Sequence, residues 1–186
     1  WLVPTTSTGQ TPAFVDAAPE LIVEVNHAQP LGLGRLHDIY LPSDPPDRAP
    51  SLLTDPGGWT VDPDVAFDPE KLAAVVETNR RDSPYEFRAP TSSDRAVGGR
   101  LGAFLVDEME RNPVLSDAIT LQFGVGSLGN ALMSRLSELD IGDRTLGYFG
   151  EVIQDGLLDL LDEGKLAYAS ATSLALSADG QDRLFE

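Results

Sequence analysis

The sequence predicts an α/β protein with open parallel sheets, and three patterns carry this prediction. From Ile119 onward, short apolar segments alternate with amphipathic segments of helical spacing. Strands that alternate with helices are joined by right-handed crossovers and lie parallel in one sheet. Two further β-rich segments precede this region and are surrounded by proline-rich sequence. The change of pattern predicts two structural parts, residues 1–90 and residues 91–186, joined by a proline-rich irregular segment.

The first part is predicted to contain one short helix and two strands. The helix lies near 13–17, and the first strand is 21–26, where β-branched and other apolar residues dominate. Residues 29–69 hold most of the prolines, so they are predicted to be irregular, either a connection between domains or a functional loop. The apolar segment 72–78 is predicted to be the second strand, with a short helix as the alternative.

The second part is predicted to begin with a long helix. Ser92 or Ser93 is expected to cap it, and apolar residues recur at helical spacing as far as about Arg111. Gly98 and Gly99 lie inside this helix and cost helix stability, which indicates close packing against another element. The alternating pattern that follows predicts the strands 118–122, 144–149 and 166–170 and the helices 128–139 and 152–163.

Composition and charge limit the classes of function. The net charge is −17 and the 13 basic residues are scattered, so no nucleic-acid partner is expected. No apolar run approaches the roughly 20 residues of a membrane span, so no membrane partner is expected. The absence of cysteine excludes thiolate chemistry in this chain and fits a cytoplasmic protein. The two histidines lack a zinc-binding pattern, and no metal site is predicted.

A carboxylate follows the second strand of the alternating region. The sequence predicts that this strand ends in a tight turn at Gly150 and that a helix starts at once. Glu151 follows Gly150 and stands at this turn. Ligands bind at the carboxyl ends of strands in open α/β sheets, and a carboxylate there can act as a nucleophile or base. The structural alternative is a first-turn glutamate that complements the helix dipole, worth about 0.3–1 kcal/mol.

A glycine-rich segment follows the strand before that one. Its sequence is Phe123-Gly124-Val125-Gly126-Ser127-Leu128-Gly129-Asn130, and it opens a helix. Glycines at such a position let the backbone approach a ligand closely and aim N–H groups at an anion. The dinucleotide-binding pattern fits poorly, because the third glycine is displaced and no acidic residue ends the next strand. A tight strand-to-helix turn without a ligand is the alternative.

Several segments, taken in order, resemble one known family. They are Leu21-Ile22-Val23-Glu24-Val25-Asn26, His37-Asp38-Ile39-Tyr40, Asp68-Pro69-Glu70-Lys71-Leu72, Leu121-Gln122-Phe123-Gly124-Val125-Gly126, Glu151-Val152-Ile153-Gln154-Asp155-Gly156 and Ala169-Ser170-Ala171-Thr172. Together they resemble the acetyl-CoA hydrolase/transferase family, and within it the succinyl-CoA:acetate and propionyl-CoA:succinate CoA-transferases. The resemblance covers nearly the whole chain. Family members are considerably longer, so the chain is expected to be an internal portion of such a protein.

The resemblance implies an enzyme that moves CoA between an acyl-CoA and a free carboxylic acid through a glutamyl-CoA thioester. Glu151 matches the family's catalytic glutamate. The glycine-rich segment would place Gly124, Val125 and Gly126, with Asn130 beside them, near the thioester, and Val125 would donate one N–H to the oxyanion. An acetyl-CoA hydrolase, or a non-catalytic acyl-CoA-binding or structural portion, is the alternative.

The resemblance also implies substrates and assembly. Coenzyme A would be a substrate rather than a permanently bound cofactor, and the partners would be acyl-CoA and small carboxylic acids. The protein would be a cytoplasmic homodimer built from two related α/β halves. Residues 1–90 would end the first half, and residues 91–186 would begin the second half, which carries the glutamate.

Overall fold

The computed structural model describes residues 1–5, 8–40, 43, 45–48, 64–81, 83, 87–115 and 118–185. These residues divide into two compact units, Trp1–Ser83 and Pro84–Leu184. Each unit contains helices and parallel strands, so the predicted α/β class with parallel sheets is confirmed. The part of the predicted irregular segment at 49–63 lies outside the described residues.

The first unit holds one α-helix and a two-stranded parallel sheet. Helix α1 (Thr11–Ala17) precedes strand β1 (Leu21–Asn26), which pairs with strand β2 (Leu72–Thr78). Both predicted strands are confirmed. The helical alternative for 72–78 is wrong, because this segment is extended and bonded along β1 over its whole length. The small buried core of the unit consists of Val15, Ile39 and Val65.

The second unit alternates helices with strands in chain order. Its helices are α2 (Ser92–Arg111), α3 (Ser127–Glu138), α4 (Asp155–Asp162) and α5 (Ala178–Leu184). Its strands are β3 (Ala118–Leu121), β4 (Thr145–Phe149), β5 (Val152–Ile153), β6 (Leu166–Ser170) and β7 (Ser173–Leu174). Strands β3, β4 and β6 form one sheet in that order with parallel pairing, as predicted, and β5 and β7 form a second parallel pair.

One apolar cluster fills the interior of the second unit. It joins the sheet to the helices through side chains that are almost completely buried, among them Met133, Leu136, Leu146, Tyr148, Leu157 and Leu160. Gly156 lets α4 approach α3, because a Cβ atom at that position would lie 2.8 Å from the Met133 Cβ. Among the described residues, no helix is both long enough and apolar enough to cross a membrane.

The first helix of this unit packs against α3 through a glycine. A Cβ atom at Gly98 would lie 2.9 Å from the backbone carbon of Ala131, whereas one at Gly99 would meet nothing within 4 Å. The predicted close packing is therefore confirmed at Gly98 and wrong at Gly99. Adjacent helix residues point about 100° apart, so only one of two neighbouring glycines can face the same partner.

The cap of α2 is Thr91, and the predicted caps Ser92 and Ser93 are wrong because both residues are already helical. The Thr91 side chain accepts a hydrogen bond from the Asp94 N–H at 3.2 Å, and the Asp94 carboxylate accepts one from the Thr91 N–H at 2.7 Å. This reciprocal pair is a capping box, which requires its two partners to stand three positions apart.

The helix predicted at 152–163 begins later than expected. Val152 and Ile153 are extended and pair with Ser173 and Leu174, so α4 starts only at Asp155. The apolar pair was predicted to be the first turn of the helix, but its backbone is bonded to a distant segment instead. A two-residue strand is too short to show a periodic pattern in the sequence.

Candidate active site

Two loops leave the same edge of the second unit's sheet. Because β3 and β4 are adjacent and parallel, their carboxyl ends lie side by side. The loop after β3 contains Gly124, Val125 and Gly126, which we call the glycine loop. The turn after β4 contains Gly150 and Glu151, which we call the glutamate turn. The Phe123 and Tyr148 rings, which precede the two loops, stack with their centroids 5.7 Å apart.

The glycine loop has a conformation that depends on its glycines. Gly126 has a φ of 141°, a value that residues with a Cβ atom rarely adopt, and it is the N-cap of α3. One turn later, a Cβ atom at Gly129 would lie 2.9 Å from the Gly124 carbonyl oxygen. Val125 is exposed, and within the described part of the chain its N–H donates to no acceptor. The loop thus contains a backbone donor that the described residues leave unused, on an exposed residue.

The glutamate turn is fixed through its main chain. The Glu151 carbonyl accepts hydrogen bonds from the N–H groups of Thr172 and Ser173 at 3.0 and 3.2 Å. The buried Tyr148 hydroxyl donates to the Val152 carbonyl at 2.9 Å. Gly150 passes so close to the Tyr148 ring that a Cβ atom there would overlap it. The position of residue 151 is therefore set by neighbours on both sides.

The Glu151 side chain itself points into open surroundings. It is exposed, and its carboxylate makes no hydrogen bond or ion pair with the described residues. Burial raises the pKa of the Tyr148 phenol, and the nearby negative charge of Glu151 raises it further, so this hydroxyl stays protonated. The site accordingly combines a free carboxylate with an uncharged phenol.

Glu151 does not complement the dipole of α4. Four positions separate it from Asp155, the first residue of that helix, and β5 lies between them. Asp155 is the acidic residue of the first turn, and its carboxylate accepts hydrogen bonds from the Ser177 N–H at 3.1 and 3.3 Å. The first-turn interpretation of Glu151 is therefore wrong, because the predicted helix start is wrong.

A buried amide joins the two loops. Gln154 is completely buried, and its Oε1 accepts a hydrogen bond from the Gly126 N–H at 3.3 Å. Sequence reasoning gave Gln154 no role, although it lies only three residues after Glu151. Asn130, a predicted site residue, has a buried Oδ1 with no hydrogen-bond partner among the described residues. The structure thus brings the glutamate turn and the glycine loop together through a residue that the sequence did not single out.

Proteins of known activity resemble the chain along nearly its whole length. It is 36% identical over 185 residues to an acetyl-CoA hydrolase from Saccharomyces cerevisiae, covering 99% of this chain and 34% of the relative. It is 34% identical over 178 residues to a succinyl-CoA:acetate CoA-transferase from Clostridium kluyveri, covering 96% of this chain and 33% of the relative. The chain belongs to the acetyl-CoA hydrolase and CoA-transferase family. No family model matches it.

The expectation that members of this family are considerably longer is confirmed, because the chain spans about a third of the length of these curated relatives. A solved structure agrees at the level of the fold. The 4-hydroxybutyrate CoA-transferase from Porphyromonas gingivalis superposes with a TM-score of 0.54 over 95% of this chain and 36% of its own, at 19% identity.

In this family member, a second polar cluster lies beside the glycine loop. Arg88 donates to the Asp94 carboxylate at 3.1 Å and to the Ser127 hydroxyl at 2.7 Å. Asp94 belongs to the cap of α2, and Ser127 is the first residue of α3. Arg88 therefore ties together the amino ends of α2 and α3, and the second of these helices begins directly after the glycine loop.

Acid is expected to weaken this cluster in a defined pH range. Hydrogen bonds from Thr91 above all, and then the charge of Arg88, lower the pKa of Asp94 from 3.8 to about 2. Its stabilising contribution is fully present above the unfolded-state pKa of 3.8 and is lost as the pH falls through about 2. Asp94→Asn should remove this part of the acid-unfolding curve.

Carboxyl titration by NMR measures this pKa directly in the complete protein, and acid unfolding of the Asp94→Asn variant measures its consequence. A midpoint for Asp94 at the ordinary aspartate value, or identical acid-unfolding curves for the variant and the parent, would contradict the prediction.

Proposed function

We propose that the protein carrying this chain is a CoA-transferase in which Glu151 is the nucleophile. The observation that supports it is that a free carboxylate, on the glutamate turn, and an unused N–H, on the glycine loop, both follow the carboxyl ends of neighbouring parallel strands. The names of the relatives supply the reaction class, since they include a CoA-transferase and an acetyl-CoA hydrolase.

In the first half-reaction, a Glu151 carboxylate oxygen attacks the thioester carbonyl of an acyl-CoA. Collapse of the tetrahedral intermediate breaks the carbon–sulfur bond and gives an acyl-glutamyl anhydride and CoA thiolate. The thiolate attacks the glutamyl carbonyl, which releases the first acid as a carboxylate and leaves a glutamyl-CoA thioester. A covalent intermediate of this kind divides one difficult transfer into easier steps.

In the second half-reaction, another carboxylate attacks the glutamyl thioester and displaces CoA thiolate, again forming an anhydride. The thiolate then attacks the acyl carbonyl, producing the new acyl-CoA and regenerating the Glu151 carboxylate. Each step passes through an oxyanion, which the Val125 N–H would stabilise. Loss of one such donor costs on the order of 10²–10³ in rate.

Hydrolysis is the second candidate function, because several relatives are acetyl-CoA hydrolases. Water that attacks the same glutamyl thioester would release free CoA and restore the carboxylate. The two activities therefore share the first half-reaction and differ only in the acceptor. Exclusion of water from the site would favour transfer.

Intact mass spectrometry of the complete protein after incubation with an acyl-CoA tests the shared step, and we expect an adduct of glutamyl-CoA. Isotope-labelled carboxylic acid is then added, and its appearance in acyl-CoA is compared with the release of free CoA. Transfer to the labelled acid supports the transferase, and CoA release alone supports the hydrolase. Reversible acyl-CoA binding with no adduct and no turnover would favour a non-catalytic binding role.

The assembly expected from the family resemblance stays a prediction. We propose that residues 1–90 end the first CoA-transferase half, that residues 91–186 begin the half with Glu151, and that the complete protein is a cytoplasmic homodimer. Acyl-CoA and small carboxylic acids would be its partners. Light scattering during gel filtration of the complete protein measures its oligomeric state.

A further inference from the structure

We propose that Gln154 is a positioning residue that sets the distance between the glycine loop and the Glu151 nucleophile. The inference rests on the proposed function, since positioning has a catalytic consequence only if Glu151 reacts. It also makes a structural claim of its own, namely that the Gln154 side chain holds the Gly126 peptide in place.

The position of Gln154 is unusual for an amide. It lies between β5 and α4 with an extended backbone, and it is the N-cap of α4. Its side chain makes no capping hydrogen bond to α4. Instead, the side chain is fully buried and reaches across 28 positions of sequence to the Gly126 N–H. It therefore acts between two segments rather than within its own helix.

The hydrogen bond fixes which way the amide points. A backbone N–H can only donate, so Oε1 must face Gly126 and Nε2 must face the interior. Within the described part of the chain, that buried Nε2 has no hydrogen-bond partner. An apolar side chain of the same size would avoid this unsatisfied donor, but it would leave the Gly126 N–H without its acceptor. The useful contribution of the amide is the acceptor that it offers to the glycine loop.

The contact determines the direction of the loop's donors. The Gly126 N–H belongs to the peptide group between Val125 and Gly126, and Gly126 has the positive φ that sets the bend. Fixing that peptide group restricts the preceding one, which carries the Val125 N–H. Val125 is the residue proposed to meet the oxyanion, so Gln154 would aim that donor without touching the substrate.

The other end of the contact is equally fixed. Between Glu151 and Gln154, each carbonyl accepts a backbone or side-chain hydrogen bond: Glu151 from Thr172 and Ser173, Val152 from Tyr148, and Ile153 from the Ala175 N–H at 2.8 Å. Glu151 and Gln154 thus stand at the ends of a rigid four-residue segment. One end bears the carboxylate, and the other end holds the glycine loop.

Gln154→Met is the variant that removes the acceptor while keeping the size and burial of the side chain. We expect adduct formation at Glu151 in the complete protein to slow by about 10–100-fold, since a misplacement near 1 Å costs on that order. The dissociation constant of the acyl-CoA should change less than about twofold, because the fully buried Gln154 side chain presents no surface to a ligand. Hydrogen exchange at the Gly126 amide should become faster.

Two further variants separate positioning from packing. Gln154→Glu keeps an oxygen for the Gly126 N–H, so a positioning role predicts that the adduct forms fastest in the parent, more slowly in Gln154→Glu and most slowly in Gln154→Met. A packing role predicts a faster rate for Gln154→Met than for Gln154→Glu, because methionine buries no charge. Gln181→Met, the same change at a half-buried glutamine of α5, should leave rate and Gly126 exchange unchanged.

The inference is overturned if Gln154→Met forms the adduct at the parental rate, if Gln154→Met forms it faster than Gln154→Glu, or if hydrogen exchange at Gly126 in Gln154→Met equals that of the parent. If Gln154→Met does not fold, Gln154→Glu provides the test. Gly126 exchange equal to that of the parent, together with an adduct-formation rate within about tenfold of the parent, then supports the inference. If the parent protein forms no adduct, the proposed function fails, and Gly126 exchange in the variants still decides whether Gln154 holds the loop.

Discussion

Glu151→Gln is expected to abolish formation of the CoA adduct and transfer activity in the complete protein. The amide keeps the size of the side chain, but it is a poor nucleophile and a poor acyl acceptor. We expect a loss of at least about 10⁴-fold, as is common when a nucleophile is removed. Intact mass and peptide mapping after incubation with an acyl-CoA measure the loss and locate the adduct in the parent.

Two companion variants sharpen this prediction. Glu151→Asp withdraws the carboxylate by one methylene group, and a displacement near 1 Å should cost roughly 10²-fold in rate. Glu163→Gln removes an exposed carboxylate just after α4 and should leave the rate unchanged. An adduct that maps to Glu24 or Glu77 would contradict the assignment of Glu151 even if the protein is a transferase.

Stability distinguishes the catalytic role from a structural one. The Glu151 side chain is exposed and lies outside the first turn of α4, so Glu151→Gln should change the free energy of unfolding by less than about 0.5 kcal/mol. A glutamate that served the fold would show the opposite result, with transfer retained and stability reduced.

Gly98→Ala and Gly99→Ala are expected to change stability in opposite directions. Both replace a glycine in the interior of α2, which by helix propensity alone stabilises by about 0.5–1 kcal/mol. Gly99 has open space for the new methyl group, so its variant should show this gain. At Gly98 the methyl group would lie 2.9 Å from the Ala131 backbone and 3.0 Å from the Leu132 nitrogen. The helices must then separate, and forced packing of this kind costs about 1–3 kcal/mol.

Denaturant unfolding of the complete protein, together with hydrogen exchange in α2 and α3, measures the difference between these neighbours. Faster exchange along the α2–α3 contact is expected only in Gly98→Ala. Equal stability of the two variants would show that α2 does not depend on close approach at Gly98.

Much of the second unit follows from its sequence. Its strands at 145–149 and 166–170 are apolar segments bounded by turns, and their alternation with helices was sufficient to predict parallel pairing. The cap of α2 was missed, although Thr91-Ser92-Ser93-Asp94 has the spacing of a capping box. That signal was present in the sequence and would have placed the helix start correctly.

The central contact of the candidate site could not be predicted in the same way. Glu151 and the glycine loop are predicted site residues because each follows the carboxyl end of a strand, which is where ligands bind in open α/β sheets. Gln154 stands between the apolar pair Val152-Ile153 and the charged Asp155, and nothing local distinguishes a glutamine that is buried from one that is exposed. Its role depends on Gly126, 28 positions away, and on β5, whose two residues pair with β7 through long-range bonds only.

The glutamate turn holds its backbone firmly and leaves its carboxylate free. Tyr148, Thr172 and Ser173 all bind main-chain carbonyl groups, and none of them binds the Glu151 carboxylate. If Glu151 forms and breaks a covalent bond in each cycle, only its own side-chain rotations need to be frozen and released. Apart from the ordering of the substrates, the entropic cost to the protein in each half-reaction would then be that of one long side chain, about 1.5–2 kcal/mol. Because the Glu151 backbone is fixed and its side chain can change rotamer, the carboxylate could reach acids of different size without movement of the sheet.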